Sequence, residues 1–278
     1  MKRGMELREL SRLLLYAVLL AGGLIFLYPF LWMVAATFKP EVEIPSLGLV
    51  PHNWTLASYR MVLERTPIGR SLFNSLFVAL TITASVLVFG SMIGYALSRL
   101  RFRGGELIFG VILFTMMVPF QLTLIPTYVL MVKFRWVDTY LALIVPGMVS
   151  AFGIFLFRQF FRSIPQDLID AARIDGCGEL TILFRIVWPL ARPAMVTVGI
   201  LTFMASWNEV LWPLIVIREP KLMTMPQVVA LFAVSGRSEA LLGPKLAAAT
   251  LLAVPILLAY VFFQRYFIES MARTGLKG

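Results

Sequence analysis

An all-α membrane protein of six spanning helices is the fold this sequence predicts, and three observations predict it. Of 278 residues, 59% are hydrophobic and only 14% are charged, against about 45–50% apolar and about 25% charged in soluble domains. The surplus apolar surface must face something other than water. The apolar residues also fall into six charge-poor runs, each near the roughly 20 residues that cross a bilayer. Finally, Lys and Arg gather in the connections between the runs, as they do in multi-pass chains.

The runs are 13–36, 71–98, 107–132, 139–157, 194–217 and 246–264, with Glu209 the one charge inside the fifth. The fourth and sixth are near the minimum length. The first follows the basic start Met1-Lys2-Arg3. At 24 residues it exceeds the apolar core of about 7–15 residues in a secretory signal, so it reads as the first span. An even number of spans puts both termini on one side. The connections on that side hold 15 Lys and Arg residues, against 10 on the other. The clusters Arg99, Arg101, Arg103 and Arg158, Arg162 assign both termini to the cytoplasm. The net charge of +10 therefore reads as topology, not as nucleic-acid affinity. No repeat or linker is visible, so residues 1–278 read as one domain with a helical core at about 72–264.

Several chemistries are excluded. Cys177 is the only cysteine and His52 the only histidine, so neither a disulfide nor a Cys- or His-based metal centre is expected. No G-x-x-x-x-G-K-[ST] occurs, so ATP is not bound by a P-loop. The chain lacks the constellation of a membrane enzyme, and no catalytic residue is assigned. Met116-Met117 and the other methionines read as flexible packing. Pro119, Pro126, Pro146, Pro213 and Pro255 lie in or near spans, where proline frees a carbonyl and permits a kink.

The connection from 158 to 193 is too long for a simple turn. Ser163, with Gln166 three residues on and Pro165 between them, predicts a capped helix start. Asp167 and Asp170 suit the positive end of that helix. Leu168, Ala171, Ala172 and Ile174 are expected to form a small apolar patch, and Gly176 and Gly178 to stop the helix. Leu180, Leu183, Phe184 and Val187 recur at helical spacing in a second piece. Pro189 and Pro193 then bend the chain into the fifth span. So short a helix is marginal alone. Periodicity suits equally a helix seated in a partner's groove and one lying on the membrane.

The residues here carry a resemblance. Asp170-Ala171-Ala172, then Gly176 after three residues, then Ile186-Val187-Trp188-Pro189 after nine more, resemble the EAA motif of ABC importer permeases. That motif reads E-A-A-x-x-x-G, nine residues, I-x-L-P. Asp170 stands for Glu and keeps the charge; Trp188 stands for Leu. The segment 33–40 (Met-Val-Ala-Ala-Thr-Phe-Lys-Pro), Asn74-Ser75, Gly94-Tyr95-Ala96-Leu97, Trp207-Asn208-Glu209 and the ending Gln264-Arg265-Tyr266-Phe267 to Gly275–Gly278 extend it over nearly the whole chain. They resemble the MalG-like permeases of carbohydrate ABC importers.

The resemblance implies a type I importer transmembrane fold with a cytoplasmic coupling helix, in a prokaryotic inner membrane. It implies that Asp170, Ala171, Ala172, Asp175, Gly176, Ile186 and Pro189 couple to an ATPase, and that the tail residues Gly275, Lys277 and Gly278 reach it as well. The partners implied are a second, MalF-like permease, two ATP-binding subunits that carry the ATP and Mg2+, and an extracytoplasmic solute-binding protein. This chain would hold no cofactor. The cargo implied is a sugar, above all an oligosaccharide, with a non-sugar solute such as glycerol phosphate as the alternative. A stand-alone secondary transporter fits worse, because one ionisable group in the spans is few for ion coupling and no inverted repeat is evident.

Glu209 inside a span is a functional hypothesis by default. Gln121 lies 14 positions after Leu107, and Glu209 lies 15 after Ala194. Along straight helices that is about 21–22 Å for both. Gln121, Asn208 and Glu209, with the aromatic faces of Tyr128, Trp207 and Trp212, would suit a sugar path. The other reading is that these groups hold helices together or form a gate. Asn208 and Glu209 are about 100° apart on a helix, so at most one points straight into a path.

Overall fold

The computed structural model describes residues 2–234 and 241–275. Helices dominate, and no strand occurs among the described residues. Close contacts divide the chain into two units, residues 1–66 with 231–254 and residues 67–230 with 255–278.

In the first unit, α1 (Lys2–Ala36) opens on charged turns and is apolar around its whole circumference from Leu13 on, and of its membrane-length stretch Arg12–Ala36 only the last residue, Ala36, is buried within the chain. That is the surface of a helix solvated by lipid. Past α1 the chain folds back on itself. Tyr28 donates its hydroxyl to the Leu47 carbonyl at 2.6 Å, and the Trp32 indole donates to Ser46 at 3.1 Å. Lys39 is buried. Its ammonium donates to the Ser46 carbonyl and hydroxyl and to the Gly48 carbonyl, at 3.1, 3.0 and 2.6 Å. Three donors meeting three acceptors offset the loss of water. After α2 (Ala57–Arg65), this unit resumes at residue 231. There Glu41 accepts from the Leu242 and Gly243 amides, placing a carboxylate at the positive end of the last helix.

The second unit is built on α3 (Ile68–Arg99), an unbroken span with a π turn at Val86–Gly90. Then come α4 (Gly105–Met117), α5 (Phe120–Lys133), the single turn and a half α6 (Tyr140–Ile144) and α7 (Ala151–Arg162). The α8 corner helix is Gln166–Ile174, and α9 (Glu179–Leu190) follows it. The unit continues with α10 (Arg192–Trp207), α11 (Leu211–Val216) and α12 (Met225–Val234, which ends in the first unit). The last helix, α13 (Leu242–Gly275), begins in the first unit and ends in the second.

α3 and α7 touch through Gly94. A Cβ there would sit 2.7 Å from the Phe157 Cβ and 3.1 Å from the Arg158 amide, so only glycine lets the two backbones come this close. The stacked rings of Phe157 and Phe161, 5.5 Å apart, fill the core beside it.

Four helices of the described residues are long and apolar enough to span alone, and six spans result if each of two bent pairs is one. Three of the expected runs are not single helices. Run 139–157 is α6, a 3-10 turn at Val145–Gly147 and the first half of α7, which together still count as one span. Run 107–132 breaks into α4 and α5, which meet at 102°. Pro119 excludes its neighbour Val118 from the helical region, and Val118 is extended at φ −81°, ψ 117°. The rise of a straight helix therefore cannot set the depth of Gln121. Run 194–217 ends as a helix at Trp207 and restarts at Leu211. Composition finds apolar length, not backbone continuity. The bend expected between Pro189 and Pro193 is present: α9 and α10 meet at 87°.

Candidate functional site

Two places concentrate the residues singled out by sequence: the corner between α7 and α10, and the break between α10 and α11.

At the corner, Pro165 and not Ser163 precedes the first turn of α8, and no side chain caps it. The Ser163 hydroxyl turns back onto the Phe160 carbonyl at 2.7 Å. The start of α8 is held from outside instead. The Arg99 guanidinium donates to the Gln166 side-chain oxygen at 2.7 Å and to the Phe161 and Ile164 carbonyls. Gln166 in turn donates to Asp170 at 3.0 Å. The end of α8 is a Schellman turn: Gly176 N–H donates to the Arg173 carbonyl and Cys177 N–H to the Ala172 carbonyl, both at 3.0 Å. Gly176 takes the φ of +81° this needs, with open space where a Cβ would be.

α8 has two faces. Ile169 and Ala172 are buried in the cluster of Ile164, Ile182 and Leu183. Ala172 thus leaves the expected exposed patch, because its small side chain is spent on the inner face. Leu168, Ala171 and Ile174 remain outward, Ile174 at 87% exposure. Asp170 and Asp175 are exposed beside them. The rest of the chain leaves these leucine and isoleucine side chains uncovered. Further on, Ile186 is half-buried and Pro189 exposed. Trp188, in place of the motif's leucine, donates its indole N–H to the Ser91 hydroxyl at 3.0 Å and ties α9 to α3.

Arg173 joins Asp170 at 3.1 Å and Glu179 at 2.8 Å. The Tyr95 hydroxyl donates to the other oxygen of Glu179 at 2.5 Å. The bond from Arg173, assisted by that from Tyr95, holds the Glu179 carboxyl below its usual range, and pairing with Glu179 raises Arg173. Nearby, Arg158 is 4% exposed. It pairs with Glu106, lies 3.7 Å from the Phe109 ring and donates to the Leu97 carbonyl at 3.2 Å. Sequence reading counted Arg99 and Arg158 only as topology markers, quoted Tyr95 only as part of the resemblance, and passed over Arg173 and Glu179. Their hydrogen-bond partners lie 52 to 84 residues away, except that Arg173 also bonds Asp170 and Glu179 on its own stretch of chain; no local pattern signals the distant bonds.

At the break, the Asn208 side chain donates back to the Met204 carbonyl at 2.9 Å. Glu209 accepts from the Trp212 amide at 3.0 Å and so caps α11. Trp207 and Trp212 are buried, and the Trp212 indole reaches the Ala142 carbonyl at 2.8 Å. Phe120 meets Trp212 edge-on at 6.4 Å, which brings α5 to α11. Gln121 is exposed and Tyr128 packs against the core. An apolar cavity of about 490 Å³ between α3, α10 and α13 is lined by none of these polar groups. Within this chain Trp212 joins helices, Glu209 ties the end of α10 to α11, and Trp207 is buried; Gln121 and Asn208 are left facing out. Of the tail residues, Gly275 closes α13, while Lys277 and Gly278 lie outside the described residues.

Residues 86–273 match the family described as binding-protein-dependent transport system inner membrane component. The chain belongs to this family. It is a multi-pass inner-membrane permease component.

Its relatives include the arabinooligosaccharides transport system permease protein AraQ of Halalkalibacterium halodurans, 36% identical over 91% of this chain and 92% of that protein. The lactose transport system permease protein LacG of Rhizobium radiobacter is 32% identical over 95% and 96%. The sn-glycerol-3-phosphate transport system permease protein UgpE of Pectobacterium atrosepticum is 31% identical over 92% and 94%. Among solved structures, a chain of a bacterial ABC transporter involved in the import of the acidic polysaccharide alginate has the same fold. Its TM-score is 0.78 at 24% identity, over 93% of this permease and 97% of that chain.

Proposed function

We propose that this permease is one membrane half of an ATP-driven oligosaccharide importer, with α8 as the helix that engages a separate ATP-binding subunit. The observation that carries this reading is the outer face of α8. Leu168, Ala171 and Ile174 stand exposed beside Asp170 and Asp175 on a helix whose other face is anchored in the core. A partner groove that covers this face supplies what a nine-residue helix lacks.

In this reading both termini and α8 are cytoplasmic, and ATP with Mg2+ sits on two ATP-binding subunits. A second permease completes the path, and an extracytoplasmic binding protein delivers the sugar. Asp170, Ala171 and Asp175 meet the ATPase, Gly176 sets the corner, and Ala172, Ile186 and Pro189 shape the support behind it. The tail from Gly275 is a second contact. Gln121 and Asn208 are the polar groups offered to the path. ATP binding closes the ATPase pair, and the two permeases switch between inward-open and outward-open states as rigid bodies.

The test is co-purification followed by uptake. Expressed with the products of its neighbouring genes, the tagged chain is expected to bring down an ATP-binding subunit. Proteoliposomes of the complex, supplied with the binding protein, are expected to take up arabino-oligosaccharides or lactose in an ATP-dependent way. A chain that purifies alone and carries solute on an ion gradient overturns the reading. Uptake of sn-glycerol 3-phosphate and no sugar keeps the importer and replaces its cargo; the 31% identical relative named for that solute is the reason to include it.

A further inference from the structure

An α8 that only touches its partner cannot move a membrane helix; it must also be fixed to one. The Gly176 turn is a poor fixing by itself, since a glycine at φ +81° with open space around it can swing. α8 is nine residues long, and two side chains, Ile169 and Ala172, root it in the core. A push on its exposed face would tilt it about that root unless something braces its ends.

Polar groups brace both ends, and both braces run to the same helix. At the start, Gln166 is held by Arg99, the last residue of α3. At the end, Arg173 donates to Glu179 at 2.8 and 3.3 Å and to the Arg99 carbonyl at 3.4 Å. Glu179 accepts from Tyr95 at 2.5 Å. Tyr95 is 3% exposed, one turn before Arg99, with its ring edge-on to Phe161 at 6.4 Å. Three bonds meet on the one carboxylate, and they come from α8 and α3. We propose that Glu179 is the positioning residue of a strut, Tyr95–Glu179–Arg173, that locks the coupling helix α8 to the end of the second span and makes the two move as one body.

The strut answers a specific mechanical need. Charge-assisted bonds to a partly enclosed carboxylate are directional, whereas apolar contacts allow sliding. The Tyr95 hydroxyl fixes the carboxylate to α3, and the Arg173 guanidinium fixes α8 to the carboxylate. Asp170 gains an orientation as well, since Arg173 holds it at 3.1 Å while it stays exposed for a partner.

The inference rests on α8 being the coupling helix, and the experiment separates the two ideas. Spin labels are placed at Leu100→Cys and at Asp167→Cys, an exposed α8 residue outside the proposed ATPase contacts, in a Cys177→Ser background, in the full chain assembled with its ATP-binding subunits in lipid nanodiscs. The distance between them is measured without nucleotide and after trapping with ATP and vanadate. The parent is expected to give one narrow distribution that does not shift on trapping. Glu179→Gln, and independently Tyr95→Phe, which removes only a hydroxyl, are expected to broaden it about twofold and to let it shift, while the ATPase still co-purifies. A purely structural role for these groups would change the thermal midpoint and leave the width alone. Variants as narrow and as fixed as the parent, in an intact complex, overturn the strut only. A parent chain that binds no ATPase overturns the coupling reading and the strut with it.

Discussion

The corner at Gly176 and the break at Asn208 are both places where a helix ends beside charged residues, yet they are built by opposite means. At the break every polar side chain on the connecting residues bonds locally: Asn208 to Met204, Glu209 to Trp212. These bonds end one helix and begin the next, while the Trp212 indole reaches the Ala142 carbonyl on another element. At the corner the backbone turn closes itself, and the side chains are free to reach far: Arg99 to Phe161 and Ile164, Glu179 to Tyr95, Trp188 to Ser91. Local bonds shape a break in one helix; distant bonds tie separate helices together. The exposed apolar face of α8, left over after this bracing, is what the proposed docking on an ATP-binding subunit would cover.

Four changes would break or sharpen that contrast. The largest effect is expected from Gly176→Val. A branched side chain at φ +81° costs about 1–3 kcal/mol of local strain and re-aims α8, so ATP-driven uptake in proteoliposomes should fall to background while membrane insertion persists. Gly176→Asn, which tolerates the left-handed region, should retain much of the uptake. Equal and normal uptake in both would remove the corner from the coupling path.

Next comes Trp212→Phe, which deletes the 2.8 Å bond to the Ala142 carbonyl and leaves a buried acceptor unpaired, at about 1–3 kcal/mol. The thermal midpoint in detergent should drop, with the corner's hydrogen-exchange protection unchanged. Loss of protection at α8 as well would mean that the two regions are one cooperative piece.

Glu209→Ala should cost less, about 0.5–2 kcal/mol, because it removes a cap from a six-residue helix. Glu209→Gln keeps an acceptor and should recover most of that. If Gln and Ala are equally unstable, the charge and not the cap matters there.

The smallest effect is a pH response confined to the corner. The Glu179 carboxyl is held below 4.5 in the folded chain. A depressed carboxylate contributes stability that is present above its unfolded value and lost as pH falls through the folded one. Hydrogen exchange at residues 166–178 should therefore quicken as pH drops below the ordinary glutamate range, after correction for intrinsic rates. Glu179→Gln should abolish that response and leave the 208–212 break as it was. A response that survives the substitution assigns it to another group.

The legible parts were those written in short stretches of chain. The αL corner followed from Gly176 and its spacing, and the bend into the fifth span from Pro189 and Pro193. The apolar lengths gave the spans but not their breaks. Pro119 was seen as a kink and is a 102° turn, because the restriction it places on Val118 ends the helix outright. Ser163 looked like a cap, but its hydroxyl found the Phe160 carbonyl within its own turn, and such local competition is invisible to spacing. Arg99 and Arg158 read as topology because charge counts ignore partners.

What the sequence by itself determined is the solvent of this protein, its number of apolar runs, its glycine corner at Gly176 and the family it belongs to, since each depends on composition or on spacing along one segment. Tertiary structure alone decided which face of α8 is free, that Ala172 turns inward, and that Tyr95, Arg99, Arg173 and Glu179 form one network. The reason is geometric. The bonds that cross between helices join α3 to α8 and α9 beside the close approach of α3 and α7 at Gly94, and which helices meet is a property of the folded chain that no local stretch of sequence carries.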